Sequence, residues 1–123
     1  MKRRAAIRLG LAGLLAGSLA LAAPVSASAF WPGTVIKVAY NDVLNLRKWP
    51  GSSSRIIGIA GPGQRVSLTG RCKDIKTNQS FQIDGPQSAK QKYAWMKRAN
   101  VWCQVMTDSA GLGWARGSFI WPE

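Results

Sequence analysis

Leu44-Asn45-Leu46-Arg47, followed by Trp49-Pro50-Gly51 and then by Ile56-Ile57-Gly58, is the stretch on which the reading of this chain turns. Side chains alternate across a strand, so Leu44 and Leu46 share one face and Asn45 and Arg47 the other. Pro50-Gly51 and the three serines after it end that strand, because proline lacks a backbone donor and glycine and serine favour turns. Arg55 to Ile59 then resumes an extended, isoleucine-rich pattern. The segment predicts a strand, a tight turn and a second strand at the start of a small β structure.

Upstream, Thr34 to Tyr40 is rich in β-branched and aromatic residues and is the predicted first strand, with Asn41-Asp42 as a turn. Downstream, Gly61-Pro62-Gly63 is a strong turn signal. Gln64 to Cys72 alternates clearly, with Val66 and Leu68 inward and Arg65, Ser67 and Thr69 outward. Val101 to Thr107 is a further strand, Asp108 to Gly111 a turn, and Leu112 to Arg116 the last strand. Short strands separated by Gly-, Pro- and Ser-bearing turns predict an all-β barrel or sandwich. Residues 73–100 are long for a connection in so small a domain, a length that usually signals function or disorder. Within them, Phe81-Gln82-Ile83 before Asp84-Gly85 fits a short strand and turn. Ser88 fits the cap of a helix running to about Ala99, with Ala89, Tyr93, Met96 and Ala99 on one face. The competing reading extends the following strand backwards through Tyr93 to Trp95.

Two later blocks repeat the style of the first: Trp102-Cys103-Gln104-Val105, and Gly113-Trp114-Ala115-Arg116 near the end. In their order and spacing, these segments resemble the bacterial SH3 (SH3b) family, in which a Leu-Asn-Val-Arg-like segment opens a barrel and a Gly-Trp-Val-like segment ends it. The resemblance covers about Ile36 to Trp121, with residues 73–100 as an insertion. It implies an all-β fold, a small SH3-like β-barrel. It also implies a binding module for peptide or glycan material of the cell envelope, peptidoglycan foremost. The chain departs from the family in two places. Lys48-Trp49 replaces the small Ser-Gly usual after the arginine, and the insertion carries Tyr93, Trp95 and several lysines.

The first residues read as a leader. Lys2, Arg3, Arg4 and Arg8 form a basic start, Leu9 to Ala23 is an apolar run, and Ala27-Ser28-Ala29 offers the small residues of a cleavage site. The apolar run is too short for a bilayer span of roughly 20 residues. We therefore expect residues 1–29 to be a secretory signal peptide and residues 30–123 to be one domain, periplasmic or secreted, with no membrane span after cleavage. Four of the 17 basic residues lie in the leader, leaving 13 against five carboxylates, a net charge of +8. That excess favours anionic surroundings and also keeps a small exported protein soluble. Export places Cys72 and Cys103 in an oxidising compartment, where a disulfide is the default. Each also shares the inward parity of its strand, Cys72 with Val66 and Leu68, and Cys103 with Val101 and Val105.

The chain contains no histidine, and Asp42, Asp74, Asp84, Asp108 and Glu123 are scattered over turns and loops. Histidine-based acid–base and nucleophilic chemistry is thereby excluded, zinc ligands are wanting, and the glycines follow no phosphate-loop spacing. We expect no enzyme, no cofactor and no metal. A binding module draws its energy from exposed aromatics and arginines. The candidate ligand-binding residues are accordingly Arg47, Trp49, Tyr93 and Trp95. Each has a structural counterpart: Arg47 holding its turn through carbonyls, Trp49 covering a barrel end, Tyr93 and Trp95 packing the insertion onto the barrel. Trp102 and Trp114 are expected in or near the core. The expected partner is cell-wall peptidoglycan or a cell-wall peptide. The alternative is a protein-interaction or inhibitor module docking another periplasmic or secreted protein through residues 73–100. Export argues against nucleic acid as partner, and a monomer is expected.

Overall fold

The computed structural model describes residues 30–83 and 85–123; the expected signal peptide and Asp84 lie outside the described residues. Eight strands form a single antiparallel sheet: β1 (Trp31–Val35), β2 (Leu44–Arg47), β3 (Ile56–Ala60), β4 (Arg65–Asp74), β5 (Gln79–Gln82), β6 (Val101–Thr107), β7 (Gly111–Arg116) and β8 (Ile120–Pro122). The spatial order is β3-β2-β7-β6-β4-β1-β8, with β5 added against β4. Among the described residues, one helix, α1 (Ala89–Met96), and a 3-10 turn over Gly117–Phe119 accompany the sheet. The fold is all-β and barrel-like, as the strand pattern predicts, and the sheet is not closed.

The core follows from alternation. Leu44 and Leu46 are buried while Asn45 and Arg47 are half-buried on the other face. In β4 the inward set Val66, Leu68, Gly70 and Cys72 is buried throughout. Between Leu68 and Cys72 the pairing with β6 shifts: Leu68 faces Val105 and Cys72 faces Cys103, so four steps along β4 match two along β6. Gly70 takes a φ of 91° in this irregularity, a backbone conformation that disfavours a side chain. The extra length is two residues, an even number, so Cys72 stays on the inward face and meets Cys103 directly. The two form a disulfide, with Cα atoms 4.0 Å apart.

The first strand differs from expectation. It runs over Trp31–Val35, and the β-branched segment after it leaves the sheet. Lys37 sits at a φ of 62°, in the left-handed region, and turns the chain out of register. Ile36 donates its N–H to Phe119 O at 2.9 Å, which pins the start of a loop over residues 36–43. β8 is an element that the sequence pattern does not predict; it forms because Gly33, Thr34 and Val35 of β1 pair with Pro122, Trp121 and Ile120.

The insertion is folded. β4 continues to Asp74 and returns as β5, with Asp74 opposite Gln79. The turn between them is built by Asp74 Oδ1, which accepts from Lys76 N at 2.9 Å and Thr77 N at 3.3 Å. The helix starts where the serine predicts: Ser88 Oγ accepts from Gln91 N and Gln91 Oε1 accepts from Ser88 N, a reciprocal cap. It stops at Met96, short of the expected Ala99, and Ala99 is exposed. Tyr93 and Met96 are buried as that face predicts, and Lys92 is buried beside them.

Candidate functional site

A cleft of about 500 Å3 opens where four segments meet: the loop over residues 36–43, the outward face of β2, the turn after it, and the outward face of the β6–β7 ladder. Its polar lining includes Lys37, Asp42, Asn45, Arg47 and Arg116, and its wall includes Trp102. Registration explains the assembly. Asn45 and Arg47 face outward because Leu44 and Leu46 face in, and Arg47 pairs with Trp114 across β2–β7. Trp102 and Arg116 are cross-strand partners on β6 and β7. Val101 and Cys103 point into the core, so Trp102 points to the opposite face.

Each charged group of the cleft is held in place. Arg47 Nη1 donates to Ser54 O at 2.7 Å, which ties β2 to the far side of its own turn. Lys48 N to Arg55 O at 2.9 Å and Trp49 N to Ser54 Oγ at 2.8 Å tighten the same turn. Arg116 Nη1 donates to Ala99 O at 3.3 Å, and its guanidinium lies 5.8 Å from the centroid of the Trp102 ring. Lys37 Nζ stands 5.7 Å from the Tyr93 ring. Asp42 Oδ1 accepts from Val43 N at 2.7 Å. Trp102 is 4% exposed, and its indole N–H finds no acceptor among the described residues.

The four residues singled out in the sequence do not converge. Arg47 lines the cleft and also holds its turn. Trp49 stands on that turn, 63% exposed, with Lys48 Nζ 6.0 Å from its ring; it is outside the cleft lining, although Ser52 of the same turn is part of it. Tyr93 is 8% exposed, donates its hydroxyl to Ser118 O at 2.8 Å and packs 5.2 Å from the Trp121 ring, so it docks α1 onto the C-terminal segment. Trp95 is 38% exposed on α1 and is likewise outside the cleft. Trp102 and Trp114 are buried, as expected.

Lys37, Asn45 and Arg116 are cleft residues that the sequence reading passes over. The available signal was parity: if Val101, Cys103 and Val105 point inward, a tryptophan between them points outward and needs a cover. A second concavity, of about 630 Å3, runs beside Trp31, Arg65 and Met106. It begins at Phe30, where the described residues start, and its one cation, Arg65, is already paired with Glu123 at 3.3 Å. It offers less free chemistry than the first cleft. Among the described residues no three His, Cys, Asp or Glu side chains gather as a metal site, and no helix is long and apolar enough to cross a membrane.

No protein-family model, curated protein or solved structure matches the chain at a significant level.

Proposed function

We propose that this chain is an exported, non-catalytic binding module of the SH3b type that recognises peptidoglycan or a cell-wall peptide. The observation that carries the reading is the cleft between the loop over residues 36–43 and the turn after β2. It sets three cations and a half-buried amide around a well-packed β core. Its volume lies within the range of about 300–1,000 Å3 that suits small ligands and peptide segments. Arg47 contributes from inside the cleft, and Trp49 from the adjoining turn as an exposed aromatic anchor. The disulfide and the lack of a membrane-crossing helix among the described residues are compatible with an exported protein.

The test is co-sedimentation of the purified protein with isolated peptidoglycan at physiological salt. Retention that soluble peptidoglycan fragments compete away is the expected result. A protein left wholly in the supernatant would sink the proposal.

A second reading, docking to another envelope protein through residues 73–100, is favoured by the exposed face of the insertion. There Trp95 is exposed and Arg98 lies 5.5 Å from the Phe81 ring. Deleting the insertion is a poor test, because Ile83, Tyr93 and Met96 are buried. Trp95→Ala with Arg98→Ala leaves those residues in place. Under this reading the double variant loses a partner cross-linked in the envelope, whereas under the first it binds peptidoglycan unchanged.

A further inference from the structure

We infer that the ligand group seated in the cleft is a carboxylate carried on a peptide; the inference rests on the peptidoglycan-peptide reading and narrows it. The argument starts from what the cleft can donate and accept. Lys37, Arg47 and Arg116 are donor-only side chains, with three donors on a lysine and five on each arginine. In this structure Arg47 commits one nitrogen, to Ser54 O, and Arg116 one, to Ala99 O. Opposed to them is a single carboxylate, Asp42, whose Oδ1 is already engaged by Val43 N. The Trp102 indole N–H finds no acceptor among the described residues but is buried, so it is not among the donors offered to the cleft. The lining therefore has a large surplus of donors and of positive charge. A ligand that completes it brings acceptors and negative charge, and paired guanidinium nitrogens match a planar carboxylate in two-point contacts.

Two features favour a peptide as the carrier. Val38, Val43 and Phe119 also line the cleft, so its walls carry apolar surface as well as cations. A short peptide with methyl-bearing side chains and carboxylates complements both kinds of surface, and a bare inorganic anion does not. A sugar ring needs an open aromatic face to pack on. Trp102 is buried with the Arg116 guanidinium 5.8 Å from its ring centroid, and the other aromatic of the lining, Phe119, is half-buried against the core, so the cleft offers little open aromatic face.

Titration calorimetry on the purified protein tests this with three probes: an acidic cell-wall tetrapeptide with free carboxylates, the same peptide with every carboxylate amidated, and inorganic phosphate. The free acid should bind at least about tenfold more tightly than the amide, given what hydrogen bonds to charged groups contribute. Its affinity should also fall as ionic strength rises from about 0.02 to 0.15 M. Arg116→Gln should cost about tenfold. Because Arg116 also covers Trp102, Lys37→Asn serves as a second variant: Lys37 is exposed and asparagine tolerates its positive φ. Equal binding of acid and amide overturns the inference, as does phosphate binding as tightly as the acid. Peptidoglycan retention without binding of either peptide overturns it too while leaving the broader proposal standing. Loss of both removes the two together.

Discussion

The insertion over residues 73–100 and the turn over residues 48–55 look alike in sequence, each setting aromatic beside basic residues, yet they are opposites in the fold. The insertion is woven in. It opens at the disulfide strand, pairs β5 with β4 through four residue pairs, buries Ile83, and docks α1 through Tyr93 and Met96. The turn is braced only from within, by Arg47 and Ser54, and holds Trp49 out to solvent. Aromatic-plus-basic composition therefore does not separate a ligand surface from a packing surface. The tertiary partner of the aromatic does: Tyr93 has a carbonyl and a ring to meet, and Trp49 has only the neighbouring lysine.

The comparison breaks most readily at the disulfide that anchors the insertion. Replacing Cys72 and Cys103 by serine releases a 31-residue separation, which should lower stability by roughly 3–4 kcal/mol in the chain-entropy account. Urea unfolding measures it, and reductant should shift the native protein to the same midpoint. A loss under about 1 kcal/mol would mean that β5 and α1 hold the sheet without the cross-link.

Next in size is Gly117→Ala. A Cβ at Gly117 would run into Met96 O, against backbone that ends α1, so helix and 3-10 turn must separate. Overpacking of this kind costs roughly 1–3 kcal/mol or more. Gly61→Ala is the control, since nothing lies within 4 Å of a Cβ there. Thermal melts should show a large drop for the first and almost none for the second. Equal melts would show that α1 is not seated as described.

A smaller effect is expected at Tyr93→Phe. It removes the hydrogen bond to Ser118 O while keeping the ring against Trp121, and should lower stability by about 0.5–1.5 kcal/mol. Peptidoglycan retention should stay unchanged. Weakened retention at full stability would return Tyr93 to the ligand side.

These contrasts show how far the chain is legible. β4 and β6 are readable because alternation is a local signal, and the inward parity of Cys72 and Cys103 survives the irregularity at Gly70. The helix cap is readable because Ser88 and Gln91 lie within one turn of each other. β8 is not: three residues including a proline carry no strand pattern, and the strand exists only because β1 pairs with it. The segment after Val35 misleads for a related reason. Its β-branched residues suit a strand, but Lys37 turns the chain away and Phe119 O takes the Ile36 N–H. The cleft is the least legible feature of all. Lys37, Arg47, Trp102 and Arg116 are separated by up to 79 positions along the chain and become neighbours only through the β2–β7 and β6–β7 registers.

The smallest stability change and the sharpest functional one should come from the same substitution, Trp49→Ala. An exposed indole on a turn held by backbone and serine contacts contributes little to folding, so the melt should move by no more than about 0.5 kcal/mol. An anchor beside a basic cleft contributes to binding, so the variant should lose more than about 1 kcal/mol of affinity for peptidoglycan fragments, roughly fivefold or more. Co-sedimentation and denaturant unfolding on one preparation separate the two effects. If stability falls and retention does not, Trp49 covers the end of the barrel and the turn belongs with the insertion as framework. If retention falls alone, the two regions divide the work: one holds the sheet and the other meets the ligand.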